Sequence, residues 1–151
     1  MGGISGNAID GTYSIVVSGG MYDGMDKDEG NTIYYSGSNS HENKSPEPVT
    51  SNQTKAVERS ITTGRPVRVF RSSAGKWIGS PKAGIRYDGL YIVVSMTIER
   101  NTAGGAYKRF RFDRIVNQLA IQINEPSPLL VEQFKCVQNG YTRTKSRRAQ
   151  Q

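Results

Sequence analysis

The chain has 151 residues, a net charge of +7 from 20 Lys and Arg against 13 Asp and Glu, and an apolar share of 35%, which together suit one loop-rich domain with a single core. They exclude a helical membrane anchor, because no apolar run approaches the roughly 18 residues that a span needs. The Met1-Gly2-Gly3-Ile4 start lacks the basic flank and apolar segment of a secretory signal, and Cys136, the only cysteine, excludes an internal disulfide and favours a reducing compartment.

In chain order, the β-branched and aromatic run Thr12 to Ser18 predicts a strand, ended by Gly19-Gly20. Asp23 to Glu29 reads as an acidic turn, and Thr32 to Ser36 as a second short strand. Gly37 to Asn52, rich in Ser, Asn, Pro and Glu, reads as a loop of functional length. Gln53 to Thr62 contains no Gly or Pro and predicts a modest helix closed by Gly64 before Pro66. A strand over Val67 to Arg71 is followed by a long excursion from Ser72 to Gly84, which contains Trp77. Arg86-Tyr87-Asp88-Gly89 reads as a polar tight turn leading into a strand from Leu90 to Met96. From Tyr107 to Phe112, alternation predicts a strand with Tyr107, Arg109 and Arg111 on a basic, aromatic face opposite Lys108, Phe110 and Phe112. Pro128 at a first turn and Leu129 to Lys135 predict a short amphipathic helix. The expected fold is α+β but mainly β, a curved and partly closed barrel over residues 1–140 with two short helices. Residues 141–151 are expected as a basic disordered tail.

The charge is unevenly placed. Arg143, Lys145, Arg147 and Arg148 put four positive charges in the acid-free tail, and no Asp or Glu interrupts the basic series from Arg59 to Arg86. Asp23, Asp26, Asp28 and Glu29, by contrast, crowd one early loop. A basic stripe suits a phosphate backbone, and an acidic spot within it suits a donor-bearing group; a solvated face on an ordinary domain fits the charge alone equally well.

Enzyme readings find little support. His41 is the only histidine, in a polar loop, so neither a Cys/His zinc cluster nor a Ser-His-Asp triad is expected. No phosphate-cradling Gly-x-x-x-x-Gly-Lys-Ser/Thr run occurs. No metal, cofactor or catalytic residue is expected.

Gly19-Gly20 followed by Tyr22, Asp23, Asp26, Tyr35 and Ser36 provides backbone without side chains, carboxylates and aromatic faces, the equipment to hold a single base out of a duplex. Taken alone, these residues also fit a glycine hairpin with a solvated acidic tip and two core tyrosines. The blocks Gly3 to Gly6, Asp10 to Val16, Gly19-Gly20, Ile33 to Ser38, Gly64 to Val69 and Arg86 to Tyr91, in this order, resemble the SRA (SET and RING associated) or YDG domain, in a fungal-type variant.

The resemblance implies a crescent-shaped PUA-like barrel that grips duplex DNA and recognises 5-methylcytosine in CpG context by flipping it into a pocket. It places the base pocket at Gly19, Gly20, Tyr22, Asp26, Tyr35 and Ser36, with Asp23 as the alternative carboxylate. A flipped cytosine offers a donating amine that a carboxylate accepts, and aromatic faces replace lost stacking worth roughly 1–3 kcal/mol per base. Burying the methyl group adds about 0.8 kcal/mol, near a fourfold preference.

The resemblance also implies a DNA finger at Asn43 and Lys44. By their charge, Arg68, Arg71, Lys76, Arg109 and Arg111 are expected phosphate contacts, and by its turn chemistry Tyr87-Asp88-Gly89 is expected to have a structural role. The family usually has further strands before the segment equivalent to Gly3-Ile4. The expected module is a non-catalytic, nuclear monomer, bound to double-stranded DNA containing methylated cytosine and to histone or other chromatin proteins. The alternative is a degenerate relative kept as a protein-interaction module without modified-base recognition.

Overall fold

A computed structural model describes residues 3–19, 24–123 and 126–149, with side chains described as far as residue 140. The strands are β1 (Ile4–Asn7), β2 (Gly11–Val17), β3 (Lys27–Asp28), β4 (Thr32–Ser36), β5 (Val67–Ser72), β6 (Ile85–Arg100) and β7 (Ala106–Arg114), and the helices are α1 (Asn52–Thr63) and α2 (Pro128–Ala149). They form one sheet in the order β1-β2-β5-β6-β7-β4-β3. Every neighbouring pair is antiparallel except β2 with β5, which run parallel. Parallel neighbours need a long crossover, and here it contains β3, β4 and α1. The sheet stays open between β1 and β3, giving the mainly β, partly closed architecture with two helices that the sequence predicts.

Alternation builds the core. Ile15, Ile33, Val67, Val69, Tyr91, Val93, Phe110 and Phe112 are buried on one face of the sheet, and Val57 joins them from α1. Ser51 caps α1 by accepting the Thr54 N–H at 3.2 Å, and Gly64 ends it in the left-handed conformation, φ 63°. The Ser60 hydroxyl accepts the buried Thr12 N–H at 2.8 Å, tying α1 to β2.

Three elements differ from the sequence reading. Lys27-Asp28 forms a short edge strand where a turn was expected. Arg86 to Gly89 is no tight turn but the interior of β6, where two residues, Asp88 and Gly89, face the single Val69 of β5. This bulge, and a second one at Val94 against β7, supply local twist in the longest strand. Gly89 has φ 106°, and a Cβ there would lie 2.8 Å from Gln118 Oε1 and 2.9 Å from Arg114 Nη2. Gly89→Ala is therefore expected to lose roughly 1–3 kcal/mol in urea denaturation. Finally, α2 runs on to Ala149 through most of the segment expected as a disordered tail.

Candidate functional site

A cavity of about 240 Å³ opens where the two ends of the open sheet curl toward each other. Val17, Ser18 and Gly19 line it from the end of β2, Asp26 to Asp28 and Ile33 to Tyr35 from β3 and β4, and Gly75, Lys76 and Trp77 from the excursion after β5. This is smaller than the roughly 300–1,000 Å³ of a drug-sized site and suits one small ring.

The expected pocket residues Gly19, Asp26 and Tyr35 meet here. Gly20, Tyr22 and Asp23 lie outside the described residues. Asp26 Oδ1 accepts the Ser36 N–H at 2.7 Å, which fixes one carboxylate oxygen. Burial pushes the Asp26 carboxyl above the usual range, opposed by its bonding to Ser36 and by the Arg109 charge. Ser36 is itself buried, and its amide orients Asp26. The half-buried Tyr35 ring meets Phe112 edge-on, with centroids 6.2 Å apart and planes at 72°. Gly19 donates to Ala74 O at 3.0 Å, and a Cβ on Gly19 would collide with that carbonyl, so only glycine lets the strand end approach the loop so closely.

Two wall features escape a reading by motif. Trp77 closes the cavity from the excursion, its indole pressed so near Gly30 that a Cβ there would lie 2.6 Å from Cζ2. Behind it sits Arg71, expected to contact phosphate but fully buried. The assignment is corrected by the strand period: Arg71 lies on the same face as Val67 and Val69. Its Nε and Nη2 donate to the two Asp28 oxygens at 2.7 and 2.8 Å, its Nη1 to Asp88 Oδ2 at 2.9 Å and Tyr91 Oη at 3.1 Å, and its Nη2 also to Gly30 O at 2.7 Å. Burial disfavours the charge, but the Asp28 carboxylate outweighs it and the guanidinium pKa is raised. The Arg71 guanidinium lies 4.5 Å from the Trp77 ring centroid, so cation and indole fix each other.

Asp88 joins this network. It accepts from Arg71 and, at Oδ1 and Oδ2, from Nε and Nη2 of Arg86. Its role is to neutralise two arginines rather than to bond turn backbone. Tyr87, half-exposed, packs against Phe70 with centroids 5.3 Å apart.

The expected finger is also corrected at one position. Asn43 is buried, and its Nδ2 donates to the Glu47 and Ala106 carbonyls at 2.8 Å each while Oδ1 accepts the Ser45 N–H, so it organises the loop from within. Lys44 is exposed. Arg68, Lys76 and Arg111 are exposed as well; Arg111 Nε bonds Asp113 Oδ1 at 2.9 Å. Arg109 is half-buried, its guanidinium 4.6 Å from the Tyr34 ring centroid, and its buried Nε has no hydrogen-bond partner among the described residues. Tyr107, expected on the outer face, is buried beside it. Among the described residues no group of three His, Cys, Asp or Glu could hold a metal ion, and no helix is long and apolar enough to cross a membrane.

The SAD/SRA domain family model matches residues 1–118. A UHRF1-like protein of Cryptococcus neoformans var. grubii is 35% identical over 132 residues, covering 77% of this chain and 38% of that protein. The E3 ubiquitin-protein ligase UHRF1 of Danio rerio is 32% identical, covering 74% of this chain and 17% of that protein. The chain thus spans well under half the length of these relatives. Among solved structures, a modification-dependent TagI restriction endonuclease superposes with a TM-score of 0.67 at 32% identity, covering 79% of this chain and 44% of the other. The SUVH5 SRA domain in complex with methylated CHH DNA superposes at 0.64 and 29% identity, covering 81% of this chain and 79% of the other. The cavity between the sheet ends, the bulged strand carrying Tyr87-Asp88-Gly89 and the match over residues 1–118 all lead to one assignment: the chain belongs to the SAD/SRA domain family.

Proposed function

We propose that this domain is a non-catalytic reader of 5-methylcytosine in CpG duplex DNA, and that it takes the modified base, flipped from the helix, into the cavity beside Asp26. The observation that carries the reading is the Asp26 carboxylate on the cavity wall, one oxygen held by the Ser36 amide at 2.7 Å. The other oxygen accepts the cytosine N4 amine. Tyr35 supplies one aromatic face, and Tyr22 is the expected partner face. Related domains crystallised with methylated and hydroxymethylated CG DNA support the ligand class.

Exposed Lys44, Arg68, Lys76 and Arg111 serve the phosphate backbone, and half-buried Arg109 serves mainly the pocket. The setting is nuclear chromatin, with histone or other chromatin proteins as further partners and with the domain itself a monomer.

Affinities for methylated, hemimethylated and plain CpG duplexes test the reading. Wild type should prefer the modified sites, and equal affinity for all three would overturn modified-base recognition. Binding should also weaken steeply with salt. Arg68→Ala should lower affinity on every sequence alike and reduce the slope of log K against log salt by about 1, as read in a salt titration. A second reading, a protein-interaction module, draws on α2, which leaves Leu129, Leu130 and Val137 exposed. It predicts no salt-sensitive duplex affinity.

A further inference from the structure

We propose that the turn over residues 75–79 is a wedge, and that Ile78 at its tip enters the base stack beside the extruded nucleotide. The proposal rests on the base-flipping reading above and assigns a separate element to the work of opening the duplex.

Ile78 is 92% exposed. Single exposed apolar residues are common and mean little by themselves. Three properties set this one apart. The first is its mounting. Ser73 donates to Gly84 O at 2.9 Å, Gly75 to Ser72 O at 3.1 Å, Ser80 to Trp77 O at 2.9 Å, and Arg86 Nη2 to Gly79 O at 2.6 Å. Trp77, one residue before the tip, is locked over Arg71 and against Gly30, so the turn has no freedom to fold its isoleucine away from water.

The second property is position. Gly75, Lys76 and Trp77 are cavity wall, so the tip continues directly from residues that line the recess. The third is charge. Lys76 and Lys82 flank Ile78, both exposed, and no acidic residue lies between Glu58 and Asp88. A branched apolar side chain with a lysine before and after it in an acid-free stretch of sequence suits the chemistry of a base step, where apolar wedges part stacked bases and cations lie near the adjoining phosphates.

The test measures binding of wild type, Ile78→Ser, Ile78→Leu and Asp26→Ala to a methylated CpG duplex, and to the same duplex with the methylcytosine facing an abasic site. Ile78→Ser should bind the fully paired duplex about tenfold more weakly than wild type, and Ile78→Leu within about twofold of it. Facing an abasic site the base is already unpaired, so the deficit of Ile78→Ser should shrink to less than about threefold. Both Ile78 variants should melt as wild type does, since the side chain packs on nothing. Wild-type affinity of Ile78→Ser on the paired duplex overturns the proposal, and so does an equal deficit on both duplexes, which marks a mere surface contact. If wild type ignores methylation and Asp26→Ala is silent, the pocket reading fails and the wedge falls with it. If those two results hold and only the Ile78 results miss, the wedge alone is wrong.

Discussion

Arg71→Ala is expected to lose about 3–5 kcal/mol of folding stability in urea denaturation, the largest single-residue effect in the domain. The guanidinium is fully buried and makes five hydrogen bonds to Asp28, Asp88, Tyr91 and the Gly30 carbonyl. Its removal strips Asp28 of the cation that bonds both its oxygens and, among the described residues, leaves Asp88 paired with Arg86. A buried charge stripped of its partner costs more than the intact pair contributes, so the loss is mostly the penalty on the carboxylates left behind. Arg71→Lys should rescue little, because one ammonium cannot reproduce a planar fork shared between two carboxylates. Adding Asp28→Asn to Arg71→Ala should recover part of the stability, whereas Asp28→Asn alone should destabilise. If Arg71→Ala unfolds within about 1 kcal/mol of wild type, the network does not hold the fold. Because Trp77 stacks on this guanidinium, duplex affinity should fall even at temperatures where the variant is still folded.

Asp26 should behave in the opposite way. Asp26→Ala is expected to reduce affinity for the methylated duplex roughly tenfold to a hundredfold, since a hydrogen bond to a charged group is worth about 1.5–3 kcal/mol, and to erase the preference over plain CpG. Asp26→Asn is the sharper variant. The Ser36 amide should keep the carbonyl oxygen of the new side chain, leaving its NH₂ to face the cytosine amine, donor against donor. Affinity should therefore fall while stability does not.

The stability half follows from the raised carboxyl pKa, whose main cause is burial. A carboxyl that holds its proton more tightly folded than unfolded lowers stability as pH rises from the ordinary value through the folded one, and the penalty is complete above the folded value. A neutral amide removes that penalty, so Asp26→Asn should be at least as stable as wild type at pH 7 and should lose this advantage in acid. Denaturation curves at pH 7 and pH 3 check the sign. A variant less stable than wild type at pH 7 would show that the carboxylate is held for structure rather than for a ligand.

The strands and first helix were legible where one rule sufficed. Thr32 to Ser36 is a β-branched and aromatic run bounded by turn residues, and Gly64 before Pro66 marks the end of α1. Charge misled where it outranked the strand period. Arg71 was grouped with Arg68 as a surface cation, yet Val67, Val69 and Arg71 share one parity, and that pattern already points the arginine inward. Its partners were not legible, because Asp28 and Asp88 reach it from other strands, 43 and 17 residues away in the chain. Arg86 to Gly89 carries turn residues, but the same glycine serves a bulge, and only pairing with β5 decides between the two. Asn43 was assigned to a finger on chemistry that suits a base edge equally well as a loop carbonyl, and loop closure took it. Trp77 carried a signal in its size alone; its place on the cavity wall depends on the Gly30 and Gly79 gaps that admit the indole.

The parallel pairing of β2 with β5 brings Ser14 beside Arg68 only after β3, β4 and α1 have been threaded between them. Loop-closure entropy for such remote partners has to be met before their contacts repay it, which makes this juncture slow to assemble. Since the recess takes one wall from the end of β2 and another from the segment following β5, it is complete only once that pairing has formed, and a change that loosens the pairing opens the recess with it.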